Sequence, residues 1–125
     1  MTKKILFSIL LLLLLAACSG GGSGDPAAVV EAYMQAKAEA DGSTIRQLLC
    51  AEMESMVERE VRTFESVSDV RVEGMSCSRV GETDVVTCTG EIVASYGAED
   101  TVFPLASYRV VQEDGAWRWC GEAAP

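Results

Sequence analysis

The spacing of apolar residues changes once along the chain, at Val70, and this change restricts the fold more than any other feature. Between residues 25 and 69, apolar residues recur every three or four positions, as they do on one face of an α-helix. After residue 70 they alternate with polar residues, which is typical of strands with one buried face. Helices followed by a run of consecutive strands predict an α+β fold with an antiparallel sheet.

Three amphipathic helices are predicted before residue 70. Asp25 followed by Pro26 is typical of a helix start, because Asp can cap free N–H groups and Pro fits the first turn. Gly42 is predicted to end this helix in a left-handed conformation, and Ser43 or Thr44 is expected to cap a short second helix. The residues that define the three apolar faces are Val29, Val30, Tyr33, Met34 and Ala36; Ile45, Leu48 and Leu49; and Met53, Met56, Val57, Val61 and Phe64.

Four strands are predicted after residue 70. Glycine and acidic turn-forming residues separate the alternating segments at 81–84, 97–100 and 114–115. Such short breaks favour antiparallel hairpins. The predicted strands are Val70–Arg79, Val85–Tyr96, Val102–Gln112 and Trp117–Cys120.

The first 17 residues are predicted to be a signal peptide. Lys3 and Lys4 precede a segment of 13 residues, Ile5–Ala17, that is apolar apart from Ser8. A helix of this length spans roughly 20 Å, which is short of the ~30 Å hydrocarbon core of a bilayer. The segment therefore indicates export rather than a permanent membrane span.

The sequence Leu15-Ala16-Ala17-Cys18 resembles the lipobox of bacterial lipoproteins. The resemblance implies cleavage before Cys18, acyl chains on that residue, and an anchor in the cell membrane or the outer membrane, with the protein facing the extracytoplasmic side. Residues 18–24 would then be the lipidated cysteine and a Gly/Ser tether, and residues 25–125 the folded domain. The alternative is an ordinary secretory signal in which Cys18 has no role.

Composition excludes several functions. Without the signal segment the chain carries 8 Lys and Arg against 19 Asp and Glu, so its formal charge is −11. So acidic a surface disfavours binding to nucleic acid. The chain has no histidine, which excludes Ser-His and Cys-His nucleophiles and His-ligated metal sites. Cofactor motifs are absent from the sequence as well, so no cofactor is predicted.

Three segments resemble the NTF2-like superfamily, also called the cystatin-like α+β roll, and above all its small exported members of uncharacterised function. They are residues 29–33 (VVEAY), 48–53 (LLCAEM) and 113–120 (EDGAWRWC). The resemblance implies N-terminal helices packed on the concave face of a curved antiparallel sheet. The superfamily includes isomerases, dehydratases and plain binding domains, so the resemblance alone does not define a function.

The cysteines predict two disulfides. With Cys18 lipidated, four cysteines remain in an oxidising compartment. Cys77 and Cys88 flank the turn at residues 81–84 symmetrically, so they oppose each other in a hairpin. Cys50 is left to pair with Cys120. The alternative is a metal site, which the lack of Cys-x-x-Cys spacing and of histidine disfavours.

The predicted register assigns side chains to the two faces of the sheet. It places Ile92 opposite Leu105 and Arg109 opposite Cys120. Because Cys120 must reach Cys50 on a helix, this face is expected to be the concave one. The predicted pocket residues are Arg109, Ser107, Phe103, Tyr33 and Phe64.

Arg109 has two interpretations in this arrangement. A buried cation needs a partner, so it is expected to form an ion pair with a helix-borne glutamate such as Glu52 or Glu60. Alternatively it is the polar anchor of an apolar pocket that selects ligands with a carboxylate.

The opposite face of the sheet is predicted to carry an apolar patch of Tyr108, Val110, Trp117 and Trp119. Such a patch usually marks a partner surface, so a homodimer or another protein partner is expected there. The alternative is a one-residue bulge that turns these side chains into the core.

No constellation of catalytic residues is apparent, because all six Asp residues lie at predicted caps, turns or strand ends. The sequence therefore predicts a non-catalytic, lipid-anchored binding or interaction module of the cell envelope, with a small ligand as one expected partner. The alternative is an enzyme of the SnoaL or isomerase type that uses the pocket of the cone.

Overall fold

A computed structural model describes residues 24–124. The predicted signal peptide, Cys18 and most of the tether lie outside the described residues. The helical elements are α1 (Pro26–Ala38), α2 (Gly42–Leu48), a 3₁₀ helix (Ala51–Met56) and α3 (Val57–Arg62). The strands are β1 (Val70–Arg79), β2 (Val85–Tyr96), β3 (Glu99–Pro104), β4 (Ser107–Glu113) and β5 (Ala116–Glu122).

Helix α1 begins as predicted and ends differently. The Asp25 carboxylate accepts a hydrogen bond from the Ala27 N–H at 2.9 Å. The left-handed residue after α1 is Ala40, with a φ of 53°, and not Gly42. Asp41 then caps α2 in place of Ser43 or Thr44, because its carboxylate accepts from both the backbone and the hydroxyl of Thr44. The turn between the two helices therefore comes two to three residues earlier in the chain than predicted.

The predicted third helix divides into the 3₁₀ helix and α3. The backbone just before it is held in an extended form, because the Cys50 N–H donates to the Trp119 carbonyl in β5 at 2.9 Å. The Glu113 carboxylate, at the end of β4, accepts from the Ala51 N–H at 3.0 Å. Contacts with the sheet thus determine where this helical segment begins and favour the tighter 3₁₀ winding of its first residues.

The sheet is antiparallel and its first hairpin matches the prediction. The strand order is β1-β2-β4-β5, and β3 pairs with β2 beside β4. Strands β1 and β2 have the predicted bounds, and Cys77 lies opposite Cys88. The helices pack on one face of this curved sheet, so the core lies between the two layers.

Both disulfides join the predicted partners. The Cα atoms of Cys50 and Cys120 are 5.3 Å apart, and those of Cys77 and Cys88 are 4.0 Å apart. In the chain-entropy model the longer loop stabilises the fold by about 4 kcal/mol and the shorter by about 3 kcal/mol. The first bridge ties the start of the 3₁₀ helix to β5.

A break in the predicted third strand changes which side chains are buried. The chain leaves the strand conformation at Leu105 and Ala106, so β3 and β4 are separate strands. Phe103 pairs with Ile92, two residues from the predicted register, whereas Tyr108 pairs with Val86. Between these two pairs the register shifts by one residue, and such a shift turns every following side chain to the other face.

The predicted apolar patch on the open face is therefore wrong. Its four residues belong to the core between helices and sheet, and each is at most 8% exposed: Tyr108, Val110, Trp117 and Trp119. The register shift before β4 is the physical reason, because it points them toward the helices. It also turns Ser107 and Arg109 away from the core.

Candidate functional site

A cleft of about 730 Å³ lies between the helical layer and the sheet. Helix α1, the 3₁₀ helix and α3 contribute one side of it, and strands β2 to β5 contribute the other. Its wall exposes somewhat more apolar than polar surface, and its volume falls within the usual range of small-molecule sites, about 300–1,000 Å³. Side chains that line it include Met34, Met56, Phe64, Ile92, Phe103 and Leu105.

A buried carboxylate lies in this apolar wall. Glu60 lines the cleft and is only 8% exposed. The Tyr33 hydroxyl donates a hydrogen bond to Glu60 Oε2 at 2.8 Å. Lys37 Nζ lies 2.9 Å from the same oxygen. Burying a carboxylate is costly unless it has such partners, so this hydrogen bond and ion pair are what allow Glu60 to remain in the wall.

Helical spacing brings these three residues together. Tyr33 and Lys37 are four residues apart on α1, so they share one face of that helix. Glu60 lies on α3, and Met56 just before this helix and Phe64 just after it line the cleft together with Glu60. The two helices meet over the sheet and join the three polar groups.

Tyr33 is the most enclosed member of this group. It is fully buried, and its ring stacks on Trp119 with the ring centres 4.0 Å apart. Burial, followed by the hydrogen bond to Glu60 and the charge of that group, raises the pKa of the Tyr33 hydroxyl far above its usual value. The phenol is therefore a permanent donor to the carboxylate.

The second carboxylate oxygen of Glu60, Oε1, accepts no hydrogen bond from the described residues. Within residues 24–124, the only enclosed side-chain nitrogen or oxygen that lacks a partner is Trp119 Nε1. Oε1 is therefore not fully enclosed, and Glu60 is one of the residues that line the cleft. The unpaired indole N–H of Trp119 costs about 1–3 kcal/mol.

The predicted pocket residues divide into two groups. Phe64 and Phe103 line the cleft, and their rings meet edge to face with centres 5.6 Å apart. Tyr33 lies behind the wall, under Trp119. Ser107 and Arg109 lie outside the cleft, contrary to the prediction, because the register shift before β4 turns them to the other face.

Arg109 has one of its predicted partners but not its predicted burial. Its guanidinium lies 2.7 Å from Glu52 Oε2 and it also approaches Cys120 Sγ at 3.4 Å. The Arg109 side chain is 44% exposed, so it is neither a buried cation nor an anchor inside the cleft. The Ser107 hydroxyl lies 2.9 Å from that of Thr87 on the same outer side.

Sequence reasoning named Glu60 only as a partner for Arg109 and missed its role in the cleft. The available signal was its position, since a carboxylate on the apolar face of a helix needs a polar partner. Tyr33 and Lys37 carried no such signal, because a tyrosine in an apolar stripe is usually core and a nearby lysine is usually solvated.

A metal site is not supported by the one cluster of possible ligands found in the described part of the chain. Cys50, Glu52 and Cys120 lie together, but both sulfurs belong to the same disulfide and offer no thiolate. None of the helices between residues 24 and 124 is long and apolar enough to cross a bilayer.

Comparisons with known proteins identify the fold. No protein-family model matches the sequence, and no curated protein matches it. Among solved structures, a SEC-C motif-containing protein from Rhodopseudomonas palustris is similar at 19% identity with a TM-score of 0.54, over 84% of this chain and 83% of that one. A candidate dehydratase of the NTF2-like family from Streptomyces avermitilis is similar at 13% identity with a TM-score of 0.54, over 77% of this chain and 92% of that one.

These likenesses confirm the predicted fold class. The described residues form an α+β domain of NTF2-like architecture, with the helices on the concave face of the antiparallel sheet. At such low identity the likeness extends to the fold alone.

Proposed function

We propose that this protein is a lipid-anchored, extracytoplasmic binding module that holds a small, mostly apolar molecule in the cleft. The observation that carries the proposal is the cleft itself, which has a volume of about 730 Å³, a wall more apolar than polar, and the buried carboxylate of Glu60 in that wall. A wide apolar wall with few, well-positioned polar groups is the usual composition of a small-molecule site.

The anchoring part of the proposal rests on the lipobox-like sequence that ends at Cys18. Cys18→Ala removes the sulfur that would receive the lipid, so we expect an unacylated precursor that leaves the detergent phase of a phase-separation extract. Cys50→Ala serves as a control, because it should alter stability and not acylation. Mature, lipid-modified protein from the Cys18→Ala variant would contradict the proposal.

The binding part can be tested with N-phenyl-1-naphthylamine, an uncharged probe whose fluorescence rises in apolar surroundings. We expect the protein to bind it and Leu105→Trp, which places a large ring in the cleft wall, to weaken binding about tenfold or more. Val80→Trp adds the same ring at an exposed position outside the cleft and should bind as the unaltered protein does. Equal binding by all three would contradict a site in the cleft.

A second candidate function is general-base catalysis, as in isomerases that move a proton on an apolar substrate. The observation that favours it is the unpaired Glu60 Oε1 at the cleft surface. Lys37 and Tyr33 disfavour it, since the ion pair and the hydrogen bond that they form already occupy the carboxylate at Oε2. The test is the rate at which the protons next to the carbonyl of cyclohexanone exchange with deuterium. An acceleration by the unaltered protein that is lost in Glu60→Gln would favour catalysis, and equal rates would favour binding alone.

A homodimer or protein partner on the outer side of the sheet stays a prediction. It would use other side chains than the four that were predicted, since those are buried. Light scattering up to high micromolar concentration measures the mass and therefore tests for a dimer.

A further inference from the structure

We propose that the cleft selects uncharged molecules that carry a hydrogen-bond donor, such as a hydroxyl group on an apolar ring, and that the donor binds Glu60 Oε1. This inference rests on the proposed binding function and specifies the chemistry of its ligand. It depends on three features of the cleft: its free acceptor, its charge balance and its apolar walls.

The free acceptor follows from how the protein uses Glu60. Both protein partners of the carboxylate, the Tyr33 hydroxyl at 2.8 Å and Lys37 Nζ at 2.9 Å, approach Oε2. Oε1 has no hydrogen-bond partner among the described residues and is not enclosed. A ligand hydroxyl there would make a charge-assisted hydrogen bond, which is stronger than a bond between neutral groups.

The charge balance of the cleft disfavours ions. Four side chains that carry a formal charge at neutral pH line it, two positive and two negative, so these charges cancel: Lys37, Arg59, Glu60 and Glu122. An anion placed at Oε1 would be repelled by the carboxylate itself, in a domain that is already strongly acidic. A cation there would compete with Lys37, which already neutralises Glu60 at 2.9 Å. An uncharged hydrogen-bond donor is not repelled by the Glu60 carboxylate and does not compete with Lys37.

The apolar walls define the rest of the ligand. Phe64 and Phe103 approach each other edge to face at one side of the cleft, and Ile92 and Leu105 line the sheet side. Aromatic edges and faces of this kind pack well against a flat ring system. Two fused rings fit within a cavity of about 730 Å³.

The test uses four compounds that share one ring system: 2-naphthol, naphthalene, 2-naphthoate and the 2-naphthylmethylammonium ion. Calorimetric titration of the purified full-length protein should give 2-naphthol the highest affinity, about tenfold or more above naphthalene. Both ions should bind more weakly than 2-naphthol. This series needs no variant to fold.

Variants then assign the preference to Glu60. In Glu60→Gln the advantage of 2-naphthol over naphthalene should fall to about twofold or less, because the acceptor loses its charge. The matched control is Glu58→Gln, two residues earlier on α3, where the side chain is 61% exposed and pairs with Arg46. It should preserve the full preference.

The outcomes separate this inference from the proposed function. If none of the compounds binds, or if Leu105→Trp binds them equally well, the cleft is not a binding site and both proposals are overturned. If all four bind the cleft with similar affinity, or 2-naphthoate binds best, only the selection for an uncharged donor is overturned.

Discussion

At the scale of single residues, the chemistry of this protein depends on one buried carboxylate and its two partners. Tyr33 and Lys37 satisfy Glu60 Oε2, which allows an acidic group to remain in an apolar wall. Removing either partner leaves the buried carboxylate with one partner instead of two. Stability and the proposed ligand chemistry of the cleft therefore involve the same three side chains.

Tyr33→Phe is expected to lower the free energy of unfolding by about 1.5–3 kcal/mol at pH 7, because it removes a hydrogen bond to a charged group. The folded protein holds the phenol proton beyond the pH at which unfolded tyrosine, with a pKa near 10, releases it. The native state then binds more protons, so stability declines as the pH rises above about 10. Urea unfolding at pH 7 to 11 measures both effects.

The variant should show a shallower decline above pH 10 than the unaltered protein. Part of the slope will persist, since burial also raises the pKa of Tyr108. Tyr96→Phe is the control at pH 7, because Tyr96 is exposed and its hydroxyl makes no hydrogen bond within residues 24–124. An unchanged alkaline slope in Tyr33→Phe would show that the phenol is not the group responsible.

At the scale of secondary-structure elements, two irregularities shape the sheet. One is the register shift between β3 and β4, which buries Tyr108 and its neighbours. The other is a bulge in β1 between Glu73 and Ser76, where Gly74 has a φ of 62° opposite Gly90 with a φ of 100°. Bulges bend a strand and increase its twist, which is how a sheet comes to curve around its helices.

Gly90→Ala should destabilise the fold by more than about 2 kcal/mol, because it combines backbone strain with a steric clash. A Cβ atom there would lie 2.6 Å from the Gly74 carbonyl oxygen. Gly97→Ala is the matched control, since its φ of 66° is also left-handed but its surroundings are empty. Gly97→Ala should lower the free energy of unfolding by only about 1–2 kcal/mol, because it adds backbone strain and no steric clash. Urea unfolding measures both variants. Equal losses of unfolding free energy would mean that the close approach of residue 90 to the Gly74 carbonyl does not affect stability.

At the scale of the whole molecule, the Cys50–Cys120 disulfide connects the helical layer to the sheet. It holds the start of the 3₁₀ helix against β5, beside the hydrogen bond from the Cys50 N–H to the Trp119 carbonyl. Met53 and Met56, on that same 3₁₀ helix, line the cleft. The bridge therefore supports the shape of the cleft as well as the stability of the fold.

Replacing both Cys50 and Cys120 by Ala should lower the free energy of unfolding by about 4 kcal/mol and weaken probe binding in the cleft. The matched double variant at Cys77 and Cys88 should lose about 3 kcal/mol and bind the probe normally, because that bridge lies within one hairpin. Thermal unfolding and fluorescence titration of both variants make the comparison. Unaltered probe binding in the variant without the Cys50–Cys120 bridge would show that this disulfide does not support the shape of the cleft.

Local patterns predicted a large part of the fold. The change of apolar spacing at Val70 was enough for the α+β class, because each secondary structure imposes its own period on the buried side chains. The bounds of β1 and β2 and the pairing of Cys77 with Cys88 also followed, since a short turn determines the register of its own hairpin.

The features that local patterns predicted correctly are the type of most elements and the register of the first hairpin, which depend on near neighbours in the chain. The side of the sheet that Tyr108 and Arg109 face depends on tertiary packing, because one extra residue at 105–106 reverses every later side chain and leaves the alternation unchanged. Tertiary packing likewise decided the chemistry of the cleft. Tyr33 and Glu60 are 27 residues apart, and only the packing of α1 and α3 over one sheet brings the phenol to the carboxylate.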